Sequence, residues 1–334
     1  MRCVSFTEPG EPADALRCAE CEIPQPGRGE VLVKMIASPI NPSDLMFVRG
    51  QYGVEPHPQQ SPGFEGVGVV ERSGGGLRGR LFTGRRVAVL NRQGGNWADY
   101  AVVPATQIIP LPSSLTDEEG ATFFVNPATA WVMIREVLNV PRGGLVLQTA
   151  AASSLGRMII RLCRTSGIRS VNVVRREEQI DELRKLGADN IVVFDAEQQE
   201  PERLAEEIRK AIGPEELRYA VDPIGGRSAE AVMATLSRGG RMLVYGTLSN
   251  QPIRMSGRIL MTRGLRIDGF WLSQFMDTCR LPQKLRLVRR LTKLIRAGVL
   301  STSVRANYSL EEITQAVQQA EQTPTGGKVL LKMS

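Results

Sequence analysis

An apolar stretch, Gly144-Leu145-Val146-Leu147, runs into a turn of small residues, Gln148-Thr149-Ala150-Ala151-Ala152-Ser153-Ser154-Leu155-Gly156. A helical pattern beginning Arg157-Met158-Ile159-Ile160 follows, then a second apolar strand, Val171-Asn172-Val173-Val174. Strand, small-residue turn, helix, strand is the unit that binds a dinucleotide. The small residues let backbone amides approach a pyrophosphate lying at the positive end of the helix. Ala152, Ser153, Ser154 and Leu155 are therefore the expected cofactor turn. The second strand ends on Arg175 and Arg176. An NAD-binding chain usually places Asp or Glu there for the ribose 2′-hydroxyl, whereas two arginines suit a 2′-phosphate. The expected cofactor is NADPH and the expected chemistry is redox. A full G-x-G-x-x-G is absent: Ser153 and Ser154 occupy turn positions, and Gly156 alone remains for close helix–strand packing. An ordinary βα connection is the competing reading of the turn by itself.

Patterning extends this unit. Strand candidates at 144–149, 171–175, 190–194, 218–222, 241–246 and 265–270 alternate with helix-like stretches, which describes a doubly wound parallel sheet. Tyr245, Gly246, Thr247 and Leu248 follow one of these strands, at the carboxyl edge where ligands bind in such sheets. The first 120 residues differ, with short alternating runs such as Glu30–Ala37, Gly66–Val70 and Arg86–Leu90 broken by Pro and Gly. They read as a compact, partly barrel-like β domain. After residue 273 come a long helix, a strand-like Ser303–Ala306, another helix and a last strand at Lys328–Leu331. A chain of 334 residues fits two domains, so the fold class is α/β, a β-rich domain plus a doubly wound sheet.

Other features narrow the function. No apolar run approaches the ~20 residues of a membrane span. Met1–Phe6 already reads as a strand, leaving no room for a leader, and a cytoplasmic location is expected. The net charge of +7 suits anionic ligands such as phosphorylated cofactors or CoA thioesters, although solubility is the plainer reading. Lys284, Arg286, Arg289, Arg290, Lys293 and Arg296 interleave at helical spacing with Leu287, Val288, Leu291, Leu294 and Ile295. A solvated helix face explains them; docking of an acidic carrier or of nucleic acid is the alternative, and no RNA-binding aromatic motif accompanies them. Cys18 and Cys21 form a lone C-x-x-C ahead of the extended Ile23-Pro24-Gln25-Pro26, with no second pair to complete a zinc site. His57 is the only histidine, which argues against Ser–His catalysis.

Four further runs carry a family resemblance: Ile40-Asn41-Pro42-Ser43-Asp44, Phe124-Val125-Asn126-Pro127, Asn172-Val173-Val174-Arg175 and Gly269-Phe270-Trp271-Leu272-Ser273-Gln274. Over nearly its whole length the chain resembles the medium-chain dehydrogenase/reductase superfamily, in particular its zinc-free quinone reductases and trans-2-enoyl thioester reductases. The last two runs are nearer to mitochondrial-type 2-enoyl reductases. The resemblance implies a split GroES-like catalytic domain, 1–125 and 273–334, around an NADP-binding Rossmann domain, 126–272. It implies that Tyr52 is the proton donor, since hydride addition to an enoyl thioester builds an enolate that a phenol can stabilise or protonate. It implies that Asn126 contacts the cofactor, where a helix N-cap is the alternative. Phe270, Trp271 and Leu272 would hold the nicotinamide carboxamide; packing or a dimer edge is the alternative. Lys328 would approach the adenosine phosphate, against the alternative of a surface lysine. Homodimers paired through the edge strand Leu265–Phe270 are implied as well.

Zinc members of the superfamily carry an early Cys and a His directly before Glu. Here Asn41–Asp44 has no Cys, Phe64 precedes Glu65, and residues 91–99 lack the four-cysteine lobe. No metal is expected, and an alkoxide mechanism that needs a Lewis acid is disfavoured. The expectation is an NADPH-dependent reductase of 2-enoyl thioesters, on CoA or acyl carrier protein, or of related enones. An NADPH:quinone oxidoreductase is the alternative. A nucleotide-sensing or RNA-binding protein on the same fold is a third, which Tyr52 argues against.

Overall fold

The structure, a computed structural model, describes residues 1–322 and 327–333. The chain divides into two compact units, 1–125 with 301–334, and 126–300. In chain order the strands are β1 (Arg2–Ser5), β2 (Arg17–Glu20), β3 (Glu30–Pro39), β4 (Glu65–Ser73), β5 (Arg86–Leu90), β6 (Tyr100–Pro104), β7 (Ile108–Pro110), β8 (Leu145–Gln148), β9 (Arg169–Val174), β10 (Asn190–Val193), β11 (Tyr219–Asp222), β12 (Arg241–Val244), β13 (Arg266–Gly269), β14 (Val304–Tyr308) and β15 (Lys328–Lys332).

In the second unit β8 to β13 form one parallel sheet in the order β10-β9-β8-β11-β12-β13. Residues 170–174 of β9 are all buried, as expected of a strand covered on both faces. Two amides stand inside these apolar strands and are joined by one hydrogen bond, while the Gln148 Oε1 has no partner among the described residues. Gln148 Nε2 donates to Asn172 Oδ1 at 2.8 Å, and Asn172 Nδ2 donates to Ser170 Oγ and the Asn190 carbonyl at 3.0 Å. The pairing ties β8, β9 and β10 together and leaves no cost of an unsatisfied buried amide on Asn172. β13 pairs with β12 alone and is one of the two edges of the sheet, β10 being the other.

The second boundary falls later than the expected residue 273. The helix Leu281–Arg296 belongs to the nucleotide-type unit, and the chain returns to the first unit at Ser301. Leu287, Leu291 and Ile295, spaced four apart, form its buried stripe. The Arg290 guanidinium lies 5.0 Å over the Trp131 ring, and Arg161 Nε donates to the Val299 carbonyl at 3.0 Å. These contacts hold the whole segment to the second unit.

In the first unit a mostly antiparallel sheet runs β14-β15-β3-β4-β5-β7, with β6 also on β3. Only β14 and β15 pair in parallel. Val31, Val33, Met35, Phe47, Val87, Val89, Trp97 and Leu331 belong to one core cluster. Gly63 shapes its wall. At φ 95° it takes the left-handed region, and a Cβ there would lie 2.5 Å from Trp97 Cδ1.

Beside this core four polar side chains are buried together: Asn41, Asp44, Glu65 and Lys328. Asp44 Oδ2 accepts from the Asn41 backbone N–H at 2.7 Å, and Oδ1 accepts from the Phe64 N–H at 3.0 Å. Glu65 Oε1 accepts from Asn41 Nδ2 and Oε2 from the Val125 N–H, each at 3.0 Å. Lys328 Nζ donates to Asn41 Oδ1. Three charged groups are thus removed from water, which costs several kcal/mol per ion unless each is paired and hydrogen-bonded. Burial pushes the Asp44 carboxyl up to about 7, raises that of Glu65, and lowers the Lys328 ammonium.

This cluster predicts a pH dependence of stability. A carboxyl raised on folding binds its proton more tightly in the folded chain than in the unfolded one. Its stabilisation is complete below the unfolded value near 4 and is lost as pH rises through about 7. The melting temperature should fall between pH 5.5 and 8, by roughly 3–6 °C on the scale of large two-domain chains. Asp44→Asn should lower it at acid pH and flatten the slope. A wild-type melting temperature that rises across this window would contradict the assignment.

Candidate functional site

In the parallel sheet the expected cofactor residues gather at one edge. The turn after β8 opens with Thr149, whose Oγ1 donates to Asp222 Oδ1 at 2.5 Å. Ala150 takes φ 48°, a left-handed conformation unusual for a residue with a Cβ. Ser153 then caps the helix Ser154–Ser166, its Oγ accepting from the Gly156 N–H at 3.1 Å. A Cβ on Gly156 would stand 2.5 Å from the Ala151 carbonyl oxygen, so the helix reaches its place against the turn only with glycine here. The Ser154 and Leu155 amides lie in the first turn, where helix N–H groups have no intrahelical acceptor. Such a turn presents donors and the positive helix end to an anion.

The neighbouring strands complete the edge. Arg175 and Arg176 follow β9 directly, and both are exposed. Tyr245 follows β12, its N–H donating to the Asp222 carbonyl at 3.0 Å, and leads into Gly246, Thr247 and Leu248. Phe270 follows β13, with its N–H on the Val244 carbonyl at 2.8 Å. Trp271 and Leu272 come next, both half-buried. Within one unit, therefore, residues 152–155, 175–176, 245–248 and 270–272 all sit at carboxyl ends of parallel strands. The Tyr245 hydroxyl is buried without a hydrogen-bond partner among the described residues. Burial, with a smaller contribution from the Asp222 charge, holds its pKa far above the usual phenol range. It stays a neutral O–H, and a buried donor of this kind is costly unless something accepts from it. The set fits a phosphorylated dinucleotide: small-residue turn, exposed guanidiniums and an orphan hydroxyl.

The first unit holds the expected catalytic tyrosine. After the helix Pro42–Val48, Gly50 N donates to the Phe47 carbonyl at 3.0 Å and Gln51 N to that of Met46 at 2.8 Å. The chain so turned carries Tyr52 to Phe64, ring centroids 5.1 Å apart, and Phe64 packs edge-on against Phe47 at 5.3 Å. Both Tyr52 and Phe64 are half-buried, so the phenol stands at the border of the core. Phe64 as the tyrosine's neighbour was not foreseen; its one signal was an aromatic directly before a buried acid.

Two expectations change. Lys328 is not a surface lysine. Its ammonium is buried against Asn41, Asp44 and Glu65, which spends it on the fold of the first unit rather than on a phosphate. Asn126 is not an N-cap. The helix Val125–Trp131 already includes it, because Glu65 takes the Val125 N–H and starts the helix two residues earlier. Asp222 was also missed, a buried acid at the end of β11 that accepts from Thr149 and from the Gly225 N–H at 2.6 Å. A lone Asp closing an apolar strand was its signal.

The residues do not fit a catalytic zinc. Phe64 offers a ring, and both Asn41 side-chain atoms are engaged by Glu65 and Lys328. Among the described residues no group of three or more His, Cys, Asp or Glu could hold a metal ion. Cys3, Cys18, Cys21, Cys163 and Cys279 are free thiols.

Known proteins match this architecture. The profile of the alcohol dehydrogenase GroES-like domain matches residues 27–113, and that of the zinc-binding dehydrogenases matches residues 154–289. The mitochondrial enoyl-[acyl-carrier-protein] reductase of Homo sapiens is 31% identical over all of this chain and 89% of its own length. A mycobacterial quinone oxidoreductase superposes with a TM-score of 0.85 at 26% identity, covering 99% of each chain. Etr1p, solved with NADP and crotonyl-CoA, superposes with a TM-score of 0.81 at 25% identity, again over 99% of each chain. A GroES-like unit, a parallel-sheet nucleotide unit and these full-length likenesses place the chain in the medium-chain dehydrogenase/reductase superfamily.

Proposed function

We propose that this protein is an NADPH-dependent reductase of the activated C=C bond of trans-2-enoyl thioesters, carried on acyl carrier protein or CoA. The observation that carries the reading is the Tyr52–Phe64 pair. Where zinc-dependent relatives place a ligand His before Glu, this chain has Phe64, and its ring holds a phenol. The electrophile at that place is then a hydroxyl and not a metal. The curated enoyl-[acyl-carrier-protein] reductases and the crotonyl-CoA complex of Etr1p support this substrate class.

NADPH, when bound, supplies a hydride to the β-carbon of the enoyl group. The rest falls to this chain's residues. The Ser153-capped helix start and Ala152–Leu155 amides bind pyrophosphate, and Arg175 and Arg176 pair with the 2′-phosphate. The Tyr245 hydroxyl offers a neutral donor. Phe270–Leu272 orient the nicotinamide, and Asn126 contacts the cofactor. Tyr52 Oη donates to the enolate as charge develops and then protonates the α-carbon. The mycobacterial quinone oxidoreductase supports quinone as a second acceptor on the same scaffold.

Three outcomes are expected. Tyr52→Phe should cut crotonyl-thioester turnover about 10²–10⁴-fold with NADPH affinity nearly unchanged, since a positioned acid is worth that much. Quinone reduction should suffer less, because water can protonate the reduced ring oxygens. Equal losses with both acceptors would count against the protonation role. Replacing Arg175 and Arg176 by Ala should raise the Michaelis constant for NADPH roughly 10- to 100-fold, the low end for charge-assisted bonds at an exposed site, and leave NADH use unchanged. A wild-type enzyme indifferent between the two cofactors would sink this. Finally, free β13 edges should pair about a two-fold axis, so light scattering should find a homodimer. A monomer at micromolar concentration would refute that.

A further inference from the structure

Part of the net charge of +7 is gathered on one helix. The helix Leu281–Arg296 carries Lys284, Arg286, Arg289, Arg290, Lys293 and Arg296 and no acidic residue. Its buried stripe of Leu287, Leu291 and Ile295 turns the opposite face outward. Along that face run Leu281, Leu285, Arg289, Lys293 and Arg296, all exposed, with Arg286 and Arg290 exposed beside them. Leu281 and Leu285 are 58% and 49% exposed, a pair of apolar side chains at the head of a basic stripe.

Helix stability does not account for this face. Arg286 and Arg290, and Arg289 and Lys293, are like charges four residues apart, which repel on a helix. The first turn carries no acid, where the helix dipole favours one. Elsewhere in the same unit arginines are paired off, as in Arg169–Glu215, Arg218–Glu216 and Arg227–Glu200. Among the described residues none of the six basic side chains of this helix enters an ion pair. Only Arg290 has a local partner, the Trp131 ring. The helix also begins ten residues after Trp271, which lies at the carboxyl edge of the sheet.

We propose that this face docks the acidic carrier protein that presents the enoyl thioester; the inference rests on the thioester reading given above. An acidic helical carrier matches the stripe in charge, and an apolar residue among its acids would seat on Leu281 and Leu285. Charge complementarity of this kind steers encounter and selects the partner. Nucleic acid fits less well, because single strands need aromatic platforms and the helix has none.

The test uses the full chain and its variant R286E/R289E/K293E, with crotonyl-acyl carrier protein and crotonyl-CoA as alternative substrates and calorimetry of carrier protein binding as a readout apart from turnover. The KM for the carrier substrate should rise at least tenfold in the variant, with kcat unchanged and the KM for crotonyl-CoA within twofold. Carrier binding to the wild type should weaken with added salt, and the variant should lose most of it. Equal rises in KM for both thioesters would overturn the proposal, since the face would then serve phosphates. So would unchanged kinetics and binding, or loss of RNA binding with carrier kinetics intact. A wild-type enzyme that binds the carrier yet reduces neither thioester would leave the surface standing and sink the reaction. One that neither binds the carrier nor distinguishes the substrates would sink the surface alone.

Discussion

Removing Glu65 from water is the constraint on which much of the first unit depends. A buried carboxylate must be met by donors, and its donors here lie outside β4. The Asn41 amide and the Val125 N–H come to it from segments on either side, and Lys328 comes from the far end of the chain. Asp44 adds a second clamp, tying the start of the helix Pro42–Val48 to Phe64. Satisfying these acids therefore brings four distant stretches of chain into one register. The geometry of Tyr52 follows, because Phe64 is fixed by that clamp and the tyrosine packs on its ring.

The second unit obeys a different rule. Its sheet is parallel, so every strand delivers its carboxyl end to the same edge. Residues 152, 175, 245 and 270 need share nothing in sequence to become neighbours in function. The price is local conformational cost, visible in the left-handed Ala150 and in the unpartnered Tyr245 hydroxyl. Both lie where a ligand would return what the fold gives up, a common pattern for binding edges.

Much of this was legible in the sequence, for physical reasons. Buried parallel strands demand near-continuous apolar runs such as Val171–Val174, so their number and spacing could be read directly. Arg175 and Arg176 were locatable because the end of a strand fixes where the next residues emerge. What escaped depended on partners remote in sequence. The stripe Leu287, Leu291, Ile295 announces a helix with one buried side but not the unit on which it seats, and the boundary was therefore expected too early. Lys328 could not be recognised as buried without Asn41, which lies 287 residues away. The start of the helix at Val125 was hidden for the same reason, since its cap is supplied by Glu65 rather than by a local side chain.

The placement of β15 sets an order on synthesis. It pairs with β3 and carries Lys328 into the acids beside it, yet it is made long after β3. Residues 126–300 are contiguous and complete before β15 is made. The nascent β domain must instead wait with β3 lacking one neighbour and two carboxylates lacking their ammonium. A chain stopped short of Lys328 keeps a finished nucleotide unit attached to an unfinished one, with an open strand edge available to chaperones or to aggregation.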